Sequence, residues 1–232
     1  MRPGRDDLRF LRDLAAAALE AARVRPSERV GSSPPNTTGG TLIRPGGRGC
    51  YPAFWIRDFA MSVDCGLILP AELRHGVEWM ARTQATATRH VPGGYTIPGG
   101  AIADHVNFDG TPIFFPGTYA PDEQGAPWGF QPPFDNHFWF IHATVRAGDG
   151  GLRAAMERAF AVAPSDPATG LVVCTEADRG VSFGFMDTVV QTGALLCASL
   201  LRWQAARELG WPKIADEIAR PLGPDGVRPF HA

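Results

Sequence analysis

Two kinds of hydrophobic pattern alternate along this chain. In residues 6 to 23, Leu8, Leu11, Leu14, Ala15, Leu19 and Ala22 fall on one stripe, with Arg9, Asp13 and Glu20 off it. This is the spacing of a helix with one wet face, so the segment should lie on the outside. Residues 58 to 69 are apolar almost all round apart from Ser62 and Asp64, and such a helix must be enclosed. The pairing recurs. Residues 71 to 88 carry Leu73, Val77, Met80 and Ala81 on one face and read as an outer helix, while 135 to 146 (DNHFWFIHATVR) read as enclosed. Residues 150 to 162, with Leu152, Met156, Ala159 and Phe160 at helical spacing, are outer again, and 187 to 209 begin with the apolar run DTVVQTGALLCASLL. A short helix over 212 to 219 follows.

Three outer and inner pairs in succession predict an all-α fold in two helical layers. Residues 24 to 54 are rich in Pro, Gly, Ser and Thr and read as loop. The stretch from 90 to 134 is too long for an idle connection and should form a pocket rim, with GGYTIPGG and HVNFDGTPIFF able to supply a hairpin. At 232 residues and 44% hydrophobic, the chain can bury the core of a single domain.

Charge narrows the function classes. The 22 Lys and Arg against 24 Asp and Glu leave a formal charge of -2, with no basic block to neutralise a row of phosphates, so nucleic acid is excluded as a partner. No apolar run reaches the roughly 20 residues of a membrane span, and the N-terminal alanines are interrupted by charge where a signal peptide would be apolar. Cys50, Cys65, Cys174 and Cys197 have wide, irregular spacing, which predicts reduced, buried thiols and a cytoplasmic location. Asp104, His105 and Asp109 form a loose cluster rather than a spaced ligand set, so neither metal nor cofactor is expected.

Each enclosed helix is headed by an aspartate: Asp58 in FWIRDF, Asp135 in QPPFDNHFWF and Asp187 in VSFGFMDTV. Aspartate is a preferred N-cap, which would explain each one alone. If inner helices alternate with outer ones running the other way, however, their N-termini emerge on one face, and the three carboxylates surround one pocket. Arg57, Trp55, Phe134, Trp139 and Phe185 would join them. Carboxylates, a guanidinium fork and flat apolar rings are the groups that bind sugar hydroxyls and pyranose C–H faces.

These motifs carry a resemblance. The order W-x-R-D, then a Pro- and Gln-containing turn ending in aspartate, then G-aromatic-x-acid, resembles the six-hairpin glycosidases, toroidal enzymes that include glucoamylases and trehalases. The resemblance spans roughly residues 50 to 209. It implies a partial (α/α) toroid of about three helical hairpins, with Trp55, Arg57, Asp58, Gln131, Asp135 and Asn136 binding substrate and Asp187 acting as general acid; the rim adds Trp128, able to stack on a sugar, and the helix order adds Trp139. The family places its glutamine closer to the aspartate than Gln131 is to Asp135. In the Asp187 slot glucoamylases carry glutamate, and trehalase-like relatives carry aspartate.

The implied chemistry is inverting hydrolysis of an oligosaccharide or glycoside, in which an acid protonates the leaving oxygen and a base activates water from the opposite face. A helix N-terminus favours ionised aspartate, so an acid role for Asp187 requires burial, among Phe183, Phe185 and the surrounding wall, to outweigh it. In the family the base comes from the later half of the ring, beyond the three hairpins and part of a fourth read here. The expectation is therefore a fragment of a longer enzyme, two copies that complete one another, or a chain without catalysis, in each case with an apolar seam that predicts self-association. Two alternatives stand beside hydrolysis: a sugar epimerase or isomerase using His137, with His142 better read as a core residue, or a saccharide-binding or assembly module without turnover.

Overall fold

The computed structural model describes residues 4–46, 51–91, 94–115, 131–176 and 191–223. Helix accounts for 48% of these and strand for 13%, in several small antiparallel sheets, so the all-α expectation is corrected to a mixed fold. The helices are α1 (Arg5–Ala22), α2 (Ile56–Ser62), α3 (Pro70–Arg82), α4 (Asp135–Ala147), α5 (Arg153–Phe160), α6 (Leu196–Glu208) and α7 (Pro212–Leu222).

Two strands, β1 (Arg23–Val24) and β2 (Leu42–Ile43), pair within the segment that composition marks as loop. The sheet that matters most joins β3 (Ala53–Trp55) to β6 (His105–Asn107) and β6 to β7 (Pro112–Ile113). Between them in sequence, β4 (Arg89–Val91) and β5 (Tyr95–Ile97) form a hairpin; later, β8 (Val173–Cys174) pairs with β9 (Gly193–Ala194). Runs of two or three residues are too short to show a period of two, which is why the pattern missed them. The predicted rim is also not a mere rim, because Ile102, Val106 and Phe108 from it are fully buried in the core.

Helix α4 is the centre of the molecule. From Asp135 to Thr144 only Trp139 is less than buried, as a helix apolar on most sides requires, and α2, α3, α5 and α6 all pack against it. Phe54, Phe59, Phe134, Phe138 and Phe140 fill the space around it, each with under 2% exposure. Burial of side chains this large stabilises by about 1.5–3 kcal/mol apiece.

The helix starts differ from the aspartate-headed pattern. α2 begins at Ile56, with Trp55 as its extended cap, so Asp58 is the third helical residue. It also stops early: the Ser62 hydroxyl donates to the Asp58 carbonyl at 2.8 Å, a short 3-10 turn (Val63–Cys65) follows, and Gly66 closes it with φ of 69°. α4 begins with Asp135 as its first residue after Phe134. α6 begins at Leu196 and not at residue 187, because Gly193–Ala194 are extended in β9. Asp187 itself lies outside the described residues.

Side-chain contacts set the directions of the inner helices. Arg57 in the first turn of α2 bonds Asp135 in the first turn of α4, while Asp64, just past α2, pairs with His142 and Arg146 farther along α4. Glu208 at the end of α6 pairs with the same His142. The three helices thus run in one direction. Enclosure is incomplete, however: Leu196 and Leu200 of α6 are 53% and 47% exposed, and on α1 the stripe residues Leu8, Leu11 and Leu14 are exposed while only Leu19 and Ala22 are buried. Of the cysteines expected to be buried, Cys174 is, but Cys65 and Cys197 are exposed.

Candidate functional site

The site grows from the junction of β3 and α2. Trp55 ends the strand and caps the helix in an extended conformation, so the chain turns from strand to helix in one step and carries Arg57 inward. There Arg57 Nε donates to Asp135 Oδ2 at 2.7 Å, and its Nη2 donates to Asn136 Oδ1 at 2.7 Å, Asp135 Oδ1 at 3.3 Å and Asp104 Oδ1 at 3.4 Å. All four residues are essentially sealed from solvent. Burial pushes the guanidinium down, but Asp135, Asp104 and Asp58 more than offset it, and Arg57 is held above its ordinary value.

A second layer sits over this cluster. Asp104 Oδ2 accepts from His105 Nδ1 at 3.0 Å. His105 pairs across the strands with Trp55, so the two side chains share one face of the sheet, and the rings stack with centroids 4.2 Å apart and planes 24° from parallel. Tyr51 meets Trp55 edge-on at 5.4 Å and is 56% exposed, its backbone at the unusual φ of 54° for a bulky residue. Buried charge therefore supports an aromatic platform of Tyr51, Trp55 and His105, in which Tyr51 is exposed and the stacked Trp55 and His105 are partly buried.

Asp58 faces elsewhere. It is half-buried on a groove of about 370 Å³ between α1 and α2, with Leu19, Ile43, Arg44 and Met61 also on the walls. Burial raises its carboxyl, Arg57 pulls the other way, and the charge of Asp104 adds to the rise. Cys197, exposed as a residue in the first turn of α6, has its thiol pushed up by partial desolvation and then by Asp135, which puts that turn close to the cluster.

The predicted substrate contacts thus divide. Arg57, Asp135 and Asn136 come together but are buried, and the hydrogen bonds of the Arg57 fork go to neighbouring side chains, so these residues position the layer above. Trp55 is half-buried within that layer. Gln131 is half-buried ahead of α4 and has no hydrogen bond to the cluster. Trp139 is displaced toward His142, 6.1 Å from it edge-on, and its indole N–H has no acceptor among the described residues. Trp128, like Asp187, lies outside the described residues.

No family model and no curated protein matches this chain.

The histidines named for an epimerase are otherwise engaged. His137 Nδ1 accepts the Ile102 N–H at 3.2 Å, leaving the proton on Nε2, and complete burial pushes the ring down to about 3. A base so unwilling to take a proton does not move protons near neutrality. His142 lies between two carboxylates: Nδ1 to Glu208 at 2.7 Å and Nε2 to Asp64 at 3.3 Å. Its hydrogen bond to Glu208 raises it, burial opposes, and Asp64 adds to the rise. With Nδ1 protonated, the Gln204 amide beside it donates to Glu208 instead, at 3.2 Å. This is a clasp between helices.

Asp104 and His105 are the residues that sequence reasoning set aside, as part of a loose metal cluster. Asp109 is separate from them, accepting the Thr111 N–H in its own turn, and among the described residues no three His, Cys, Asp or Glu groups are arranged to hold a metal. Their signal was the adjacency of an acid and an imidazole in ADHVNF. What gave it meaning was the pairing of β6 with β3. No helix among the described residues is long and apolar enough to cross a membrane.

Proposed function

We propose that the protein is a carbohydrate-active enzyme that hydrolyses glycosidic bonds with inversion, binding its saccharide on the Tyr51–Trp55–His105 platform. The observation that carries the reading is the platform itself: stacked, partly exposed rings held from beneath by the buried Arg57, Asp104, Asp135 and Asn136 cluster. An aromatic face suits the apolar C–H surface of a pyranose, and polar groups at its edge fix the orientation. The order of the WIRD, QPPFDN and GFMD motifs, which resembles that of the six-hairpin glycosidases, supports the same reading.

In this scheme Asp187 protonates the leaving oxygen, and the chain beyond the three described inner helices, or a second copy, completes the cleft. The substrate is an oligosaccharide or glycoside, and no metal, nucleotide or redox cofactor takes part. The test is release of the aglycone from a panel of aryl glycosides by wild type and by Asp187→Asn. Wild type should turn over at least one member, and the variant should lose that rate by 10²-fold or more while its melting temperature is unchanged. Equal rates for the two proteins would reject the assignment.

A further inference from the structure

We propose that His105 is the proton-accepting catalytic residue of this site. The inference rests on the reading that a saccharide lies on the platform, and it supplies the base that the resemblance leaves to a later part of the chain.

Among the described histidines, His75 and His90 bond hydroxyls, His137 is sealed, and His142 is clasped between carboxylates. His105 alone has one ring nitrogen on a buried carboxylate and the other without a partner among the described residues, in a side chain 12% exposed. Asp104 is wholly buried and bonded by Arg57, so it is a fixed acceptor, and it holds the His105 proton on Nδ1. The lone pair is then on Nε2. Stacking on Trp55 fixes the plane of the ring. An imidazole oriented by a carboxylate, with its second nitrogen open, is the arrangement that recurs where a side chain must take a proton and carry the resulting charge.

The step balances. Nε2 takes one proton from a water molecule, whose oxygen forms a bond to the anomeric carbon as the bond from that carbon to the leaving oxygen breaks. The leaving oxygen receives its proton from the separate acid that an inverting mechanism requires. The imidazolium then returns its proton to solvent, and the acid regains one.

The experiment measures two quantities on the full chain: saccharide affinity by calorimetry and kcat for hydrolysis of the best aryl glycoside. His105→Gln keeps a planar polar group at a partly exposed position, and Asp104→Asn is the second variant. His105→Gln should lose 10²- to 10⁴-fold in kcat while still binding saccharide measurably through Tyr51 and Trp55. Asp104→Asn should lose kcat with affinity retained, and added imidazole should restore part of the rate to His105→Ala. Binding with an undiminished rate in His105→Gln overturns the proposal and leaves the saccharide reading intact. Binding without turnover in wild type overturns it equally. Absence of both binding and turnover refutes the saccharide reading, and the role of His105 falls with it.

Discussion

Arg57 and Asp135 stand 78 residues apart in the chain, yet the guanidinium Nε donates to the carboxylate at 2.7 Å with both groups sealed from water. The contact ties the first turns of α2 and α4 together. It also answers why an arginine lies inside the aromatic run YPAFWIRDF: the positive charge belongs with buried acids, and the aromatic residues beside it form the layer that those acids support.

Removing either partner takes away one half of a buried ion pair, and such losses cost about 3–5 kcal/mol. The two directions should differ. Asp135→Asn leaves Arg57 with Asp104 and the Asn136 carbonyl oxygen, whereas Arg57→Met takes the buried positive charge away from two carboxylates, Asp104 and Asp135. Arg57→Met is therefore expected to be the more destabilising in urea unfolding. Asp135→Asn as the worse variant would mean that Asp104 is not held by Arg57.

The clasp at the other end of the inner helices predicts a pH effect. His142 has its value raised in the folded state, so its stabilising contribution is complete below the unfolded value of about 6.5 and is lost as pH rises through the folded value. Asp64, Glu208, Gln204 and Arg146 are the groups that face it. Urea midpoints measured at steps from pH 5 to 9 should show wild type ahead of His142→Gln at the acid end, with the gap closing toward the alkaline end. A gap independent of pH would contradict a charged clasp.

His137 makes the opposite prediction. Its folded value near 3 means that the folded protein refuses a proton that the unfolded chain accepts, so stability falls as pH drops below about 6.5. The limiting slope for one such group is about 1.4 kcal/mol per pH unit. In nitrogen-detected NMR the ring should stay in the Nε2–H form from pH 8 to 5, and a titrating signal would contradict its burial against the Ile102 amide.

How legible this was in the sequence depended on element length. Asp135 was placed correctly at the head of an enclosed helix because DNHFWFIHATVR is apolar on nearly every side over more than three turns. The apolar run from 187 to 209 gave no such boundary. It is hydrophobic in any register, and only Gly193, at φ of 94° in a two-residue strand, shows that the helix waits until Leu196. The Arg57 cluster was half legible: Arg57 and Asp135 could be grouped from helix order, but Asp104 entered only through β6. Periodicity reads residues against their neighbours in sequence. The three-residue pairing of β3 with β6, which sets His105 on Trp55, joins segments about fifty positions apart and leaves no local pattern to read.

The central claim is that a saccharide rests on Trp55. Isothermal titration of an oligosaccharide panel into wild type and Trp55→Ala tests it most directly. The account predicts saturable binding of at least one oligosaccharide by wild type and at least tenfold weaker binding by Trp55→Ala, with both proteins folded by circular dichroism at the titration temperature. Equal affinity in the two proteins, or no binding across the panel, would contradict it.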